Sequence, residues 1–149
     1  MPASTLVQAL LLFGLTACAY ALWKGGRAER YAALIILMNF AIGAVVMHMT
    51  GRRDDLVPRL INDGLAAALL LVVTVIYGSP WLGLAMLLYG AQFSLHAYYF
   101  VTERRVGDHL FSVINNIQFG LIMVCLVAGT TMSWLGRIRA AKAAAAKAG

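Results

Sequence analysis

Residues 60–77 read LINDGLAAALLLVVTVIY, a stretch whose single charged side chain is Asp63. A transmembrane helix needs about 20 mostly apolar residues, because the hydrocarbon core is roughly 30 Å thick and a helix rises about 1.5 Å per residue. The stretch lacks the alternation of apolar and polar residues that is typical of membrane barrel strands. In lipid, the other way to satisfy every backbone group is a helix. The stretch therefore predicts a membrane-spanning helix.

Four further stretches have the same character. They cover residues 6–23, 31–49, 81–101 and 110–135, and none contains a residue that is charged at neutral pH. The connections between the five are short, so each helix must run antiparallel to the next. The sequence thus predicts an all-α integral membrane protein, a bundle of five transmembrane helices with short loops. Because only residues 78–80 separate the third and fourth stretches, a re-entrant pair that leaves three full spans is the alternative.

The composition excludes an ordinary soluble enzyme. The chain of 149 residues is 62% hydrophobic and 12% charged, whereas soluble domains are about 45–50% apolar and about 25% charged. A bundle over residues 1–135 leaves no room for a separate catalytic domain. Phosphate-binding glycine loops, paired CxxC motifs, HExxH motifs and nucleophile elbows do not occur in the sequence, which favours a non-enzymatic role.

The basic residues predict an orientation. With five spans, one side of the membrane holds the N-terminus and five basic residues, and the other side holds seven. The five are Arg52, Arg53, Arg59, Arg104 and Arg105, and the seven are Lys24, Arg27, Arg30, Arg137, Arg139, Lys142 and Lys147. Basic residues near span ends favour the cytoplasm, which predicts an outside N-terminus and a cytoplasmic, basic, Ala-rich tail at residues 136–149.

The basic residues near the span ends are expected to interact with membrane lipids. Juxtamembrane Lys and Arg residues are attracted to anionic headgroups, and the basic tail points to these rather than to nucleic acid. The Ala-, Leu- and Gly-rich composition favours a bacterial inner membrane.

The polar residues predict a layer of polar side chains just beneath the membrane surface that is expected to face the periplasm. In the fourth span, Tyr89, Gln92, His96 and Tyr99 recur at intervals of three and four, which places them on one helix face. The predicted polar cluster consists of His48, Asp63, Gln92, His96, Asn115 and Gln118. Two interpretations are open: hydrogen-bonding side chains that hold helices together in lipid, or a functional site.

Asp63 decides between these interpretations. An acidic residue inside a span is a candidate functional site, because an unpaired carboxylate in the membrane costs several kcal/mol. The predicted span begins at residue 60, so Asp63 is expected about one turn in, where it can reach water, cap the helix or pair with Arg59. A deeper position would favour a pair with His48 or His96.

Three functions follow from these patterns. The small size favours a non-enzymatic structural or accessory subunit of a membrane complex, or a homo-oligomer. The first alternative is a small homo-oligomeric transporter or channel with a path lined by Asp63, Gln92, His96 and Asn115. The second is an electron-transfer subunit. No cofactor is predicted, but His48 and His96 could be the two axial ligands of a haem b, and the sequence Met47-His48-Met49 offers ligands that suit copper.

Overall fold

The computed structural model describes residues 5–50, 56–104 and 108–148. These residues form five α-helices and no strand. The helices are α1 (Thr5–Lys24), α2 (Arg27–Thr50), α3 (Leu56–Tyr77), α4 (Pro80–Val101) and α5 (His109–Ala148). The prediction of five helices in a bundle is therefore confirmed. The largest differences from the predicted bounds are that α2 and α3 each begin four residues earlier and that α5 continues through the tail.

Two tight turns join the helices into antiparallel pairs. Between α3 and α4, Gly78 adopts a φ of 60°, a left-handed conformation that favours glycine and that commonly ends a helix. Pro80 then begins α4, because the first helical position needs no backbone N–H. Between α1 and α2, the Glu29 carboxylate accepts a hydrogen bond of 2.7 Å from the Gly26 N–H. This is the return half of a capping box.

The five helices close into a ring in sequence order. Each helix packs against the next, α5 returns to pack against α1, and α2 touches α5 more sparsely across the ring. The ring has two halves. The polar half contains the beginnings of α1, α3 and α5 and the ends of α2 and α4. The apolar half contains the opposite ends of α1 to α4 and the part of α5 from Ile122 to Leu135.

Small side chains fill the apolar half. Cys18, Ala21, Ala32 and Ala33 are fully buried there, so the helices approach closely. Gly129 of α5 lies directly against the indole ring of Trp81 in α4, and the ring leaves no space for a Cβ atom at this position. In the same half, the hydroxyls of Tyr20 in α1 and Thr131 in α5 lie 3.1 Å apart.

The outer surface of the bundle is apolar. Leu12, Val75, Leu87 and Met132 are among the large apolar side chains that are well exposed. Four of the described helices, α1, α2, α3 and α5, are long and apolar enough to cross a membrane. α4 has a similar length and carries Gln92, His96 and three tyrosines.

α5 is much longer than the other helices. Its 40 residues correspond to about 60 Å at 1.5 Å per residue, or about twice the hydrocarbon thickness. Its last described part, residues 139–147, is exposed along its whole length. The predicted tail is thus a continuation of the fifth helix.

Candidate functional site

Asp63 lies deeper in the bundle than the sequence suggested. Because α3 begins at Leu56, Asp63 lies about 10 Å from the start of the helix, which is two turns rather than one. The residue is 4% exposed. The expectation of a carboxylate that reaches water or caps the helix is therefore wrong, and the deeper position that favours a histidine partner is the one observed.

The partner of Asp63 is His96. Nδ1 of His96 lies 2.7 Å from Oδ2 of Asp63, and both side chains are almost completely buried. Nδ1 of His96 and Oδ2 of Asp63 are therefore in direct polar contact. The other ring nitrogen, Nε2 of His96, is also buried and has no hydrogen-bond partner among the described residues. One edge of the imidazole thus faces the carboxylate, while the opposite edge has no polar contact within the described part of the chain.

Aromatic rings shield the pair from the end of the bundle. The ring of Phe111 in α5 lies 5.3 Å from the His96 ring and 4.9 Å from the Tyr99 ring. The Tyr99 hydroxyl donates a hydrogen bond of 3.1 Å to Asp108, just before α5 begins. Tyr99 and Phe111 thus form an apolar cover over the pair.

Asn39 of α2 completes the surroundings of the carboxylate. Its Nδ2 donates a hydrogen bond of 3.2 Å to Oδ1 of Asp63. The backbone oxygen of Asn39 in turn accepts a bond of 2.8 Å from Nδ2 of Asn62. Both oxygens of Asp63 therefore have a partner, and α2, α3 and α4 meet at this one residue.

A partly open cavity of about 180 Å³ lies next to this cluster. Its wall is formed by α1, α2, α4 and α5, and Asn39 belongs to it. The residues around the cavity are Val7, Leu10, Leu11, Asn39, Phe40, Tyr89, Gln92, Asn115, Asn116 and Phe119. In this wall, Nε2 of Gln92 in α4 donates a hydrogen bond of 3.1 Å to Oδ1 of Asn115 in α5.

The structure thus divides the predicted polar cluster. Asp63 and His96 form a direct pair, and Gln92 and Asn115 form a second pair at the cavity. Gln118 lies one turn further along α5, where its Oε1 is buried and has no hydrogen-bond partner in the described ranges. His48 is exposed near the end of α2 and makes no hydrogen bond, ion pair or ring contact with another described residue.

The structure does not join the residues suggested for haem or copper. His96 is buried against Asp63, whereas His48 is exposed, so no contact between described residues links the two histidines. Of the suggested copper ligands, His48 and Met49 are exposed, and the side chain of Met47 lies outside the described part. Within the described ranges, no group of three or more His, Cys, Asp or Glu side chains is placed to hold a metal ion.

One residue of the cluster is absent from the sequence prediction. Asn39 links the buried carboxylate to the cavity, yet it was not among the predicted site residues. The signal that could have identified it is its position, because it is the single amide in the apolar stretch 31–49. A lone amide far from either end of a span needs a polar partner in lipid.

Comparisons of the chain with protein-family models, with curated proteins and with solved structures found no match in any of the three. The functional proposal therefore rests on the geometry of the cluster and the cavity.

Proposed function

We propose that the protein is an integral membrane protein in which all five helices cross the bilayer. The apolar outer surface supports this proposal, since large exposed apolar surfaces in a soluble protein are unfavourable. α3 and α4 have 22 residues each, about 33 Å, which is the length of a full crossing and longer than a re-entrant segment. Tyr89, His96 and Tyr99 of α4 are buried in the ring interior, and Gln92 lines the cavity, so these four polar side chains are turned away from lipid.

The proposed orientation follows the distribution of basic residues, with the apolar half toward the cytoplasm of a bacterial inner membrane. The ammonium group of Lys24 lies 4.0 Å from the ring centroid of Trp23 and 5.1 Å from that of Trp134. Tryptophan and lysine side chains are typical of the boundary between lipid and water. These contacts support a membrane boundary at this end of the bundle, and the excess of basic residues supports its cytoplasmic side.

The function that the geometry supports best is a small proton-coupled transporter. The observation that carries this proposal is the buried Asp63–His96 pair, which Asn39 links to a polar, partly open cavity. Ionisable residues inside membrane proteins commonly mark proton relays and transport pathways. A purely structural role would leave unexplained why a carboxylate is buried next to a cavity that has access from outside the ring.

The chemistry of the pair suggests how protonation acts on the cavity. With a neutral imidazole and an ionised carboxylate, the pair carries one negative charge. When Nε2 of His96 takes up a proton, the pair becomes neutral overall. Asn39 bonds to the carboxylate on one side and lines the cavity on the other, so the change in charge alters the wall of the cavity. Proton binding and solute binding would thereby be coupled.

Proton movement in proteoliposomes tests this proposal. We expect the purified protein to carry protons into vesicles when a potassium diffusion potential drives them, as followed with a trapped pH dye. Asp63→Asn keeps the shape of the side chain and removes its ability to ionise, so the flux should fall to the rate of empty vesicles. The helical content in circular dichroism should be unchanged.

Glu103→Gln is the matched control, because it removes an exposed carboxylate outside the bundle by the same chemical change. Its flux should equal that of the original protein. Equal flux in the original protein and in Asp63→Asn would contradict the transporter proposal.

The second candidate function is an accessory subunit of a membrane complex. The observation that favours it is the exposed end of α5, which projects beyond the other helices and offers a surface to a partner. Native mass spectrometry from a mild detergent tests it. A mass that contains a second polypeptide would support this candidate, whereas a homo-oligomer of this chain alone would support the transporter.

A further inference from the structure

The cavity wall combines amide groups with apolar side chains and carries no formal charge. Four of its residues have side-chain amides, namely Asn39, Gln92, Asn115 and Asn116, and the others are apolar or aromatic. Asp63 does not line the cavity, and its Oδ1 accepts a hydrogen bond from the Asn39 amide of the wall. A ligand in this cavity therefore meets dipoles rather than counter-ions.

The amides keep hydrogen-bonding capacity for a ligand. Each amide has two N–H donors and one carbonyl acceptor. The bond between Gln92 and Asn115 uses one donor and one acceptor, and the remaining groups of these two side chains are free for other bonds. The Asn116 amide makes no hydrogen bond with any other described residue. The wall thus offers donors and acceptors together.

An apolar surface faces these amides. The rings of Phe40 and Phe119 pack edge to face at 5.1 Å, and both line the cavity together with Leu10 and Leu11. For scale, an enclosed apolar cavity of about 150 Å³ can bind benzene. The cavity of about 180 Å³, which is open on one side, therefore has the size for a ring or short carbon chain with one polar group attached.

We propose that this cavity is the binding site of a small neutral solute that combines an amide-like polar group with an apolar body. This inference deepens the proposed function and rests on it, because it names the solute class for the same site. The charge of the solute decides its chemical class. An unpaired ion that leaves water for a wall of amides and phenyl rings loses solvation that these neutral groups do not restore. A neutral amide exchanges its bonds to water for bonds to Gln92, Asn115 and Asn116.

Three probes of nearly identical shape test the class. Benzamide is neutral, benzoate is its anionic counterpart, and benzamidinium is its cationic counterpart. We expect saturation-transfer NMR on the intact protein in detergent to show saturable binding of benzamide and at least tenfold weaker binding of the two ions. Equal or tighter binding of either ion would overturn the neutral class. If none of the three binds saturably, the assignment of this cavity as a solute site is overturned.

Two leucine variants separate the cavity from the detergent micelle. Asn116→Leu removes an amide of the wall at nearly constant volume, and we expect it to weaken benzamide binding about tenfold, the effect of one lost hydrogen-bonding group. Gln8→Leu makes the same kind of change at an exposed position of α1 and should leave binding unchanged. Equal binding in the original protein and both variants would place benzamide in the micelle and overturn the proposal.

The two proposals fail separately. Benzamide binding that depends on Asn116 but occurs without proton flux would retain the solute site and reject the transporter. Flux that depends on Asp63 but occurs without benzamide binding would retain proton transport and reject this class of solute.

Discussion

The apolar and polar halves of the ring are held together by different forces. In the apolar half, many small side chains pack between the helices. The contact of Gly129 with the Trp81 ring shows how closely these helices approach. In the polar half, a few hydrogen-bonding groups around Asp63 join three helices. We therefore expect the folding stability to depend on many contacts in the apolar half and on a few contacts in the polar half. A single substitution should therefore have its largest effect in the polar half.

The largest effect is expected from His96→Leu. This change removes the partner of a buried carboxylate, and a charge left uncompensated in the interior in this way costs about 3–5 kcal/mol of folding free energy. Unfolding in mixed detergent micelles, titrated with a denaturing detergent, measures the loss. The double variant Asp63→Leu with His96→Leu should regain most of it, because no unpaired carboxylate remains. If the double variant is as unstable as the single one, the pair is not the central contact of this half.

A smaller effect is expected from Gly129→Ala in the apolar half. The added methyl group meets the Trp81 ring, and overpacking of this kind typically costs about 1–3 kcal/mol. The matched control is Gly120→Ala on the same helix, where no atom lies within 4 Å of the new Cβ. That variant should be unchanged or up to about 1 kcal/mol more stable, since alanine favours a helix. The same unfolding titration compares the two, and equal stabilities would mean that α4 and α5 are not closely packed at Trp81.

The smallest effects should come from one hydrogen bond in each half. Tyr20→Phe removes the contact with Thr131, and Gln92→Leu removes the bond to Asn115. Side-chain hydrogen bonds between membrane helices contribute about 0.6 kcal/mol on average, so each variant should lose less than about 1 kcal/mol in the same titration. A loss for Gln92→Leu as large as that for His96→Leu would show that the cavity wall belongs to the rigid core.

The number and order of the helices could be predicted from the sequence because a membrane demands long apolar stretches. The inward face of α4 could be predicted too. The stripe of Tyr89, Gln92, His96 and Tyr99 does face the interior, with three of its members fully buried and Gln92 half-buried at the cavity. The helical periodicity is sufficient to predict this inward face, because it indicates which residues lie on the same side of a helix.

The sequence alone could not predict which side chain pairs with Asp63. The apolar stretch begins at residue 60, but the helix begins at Leu56, because Leu-Val-Pro-Arg at residues 56–59 forms a first turn, where proline is tolerated. This shift moves Asp63 one turn deeper. Which of two histidines meets it depends on the rotation of α2 and α4 about their axes, and that rotation leaves His48 exposed and His96 buried. The role of Asn39 depends on the same rotation.

The closed ring has a consequence for the order of assembly during synthesis. Four of its helix–helix interfaces join helices that follow one another in the chain, so each can form as soon as the second helix of the pair has been synthesised. The fifth interface joins α1 to α5 and must wait until α5 has been synthesised. Because α1 and α5 each supply part of the wall, the cavity is complete only when α5 packs against α1.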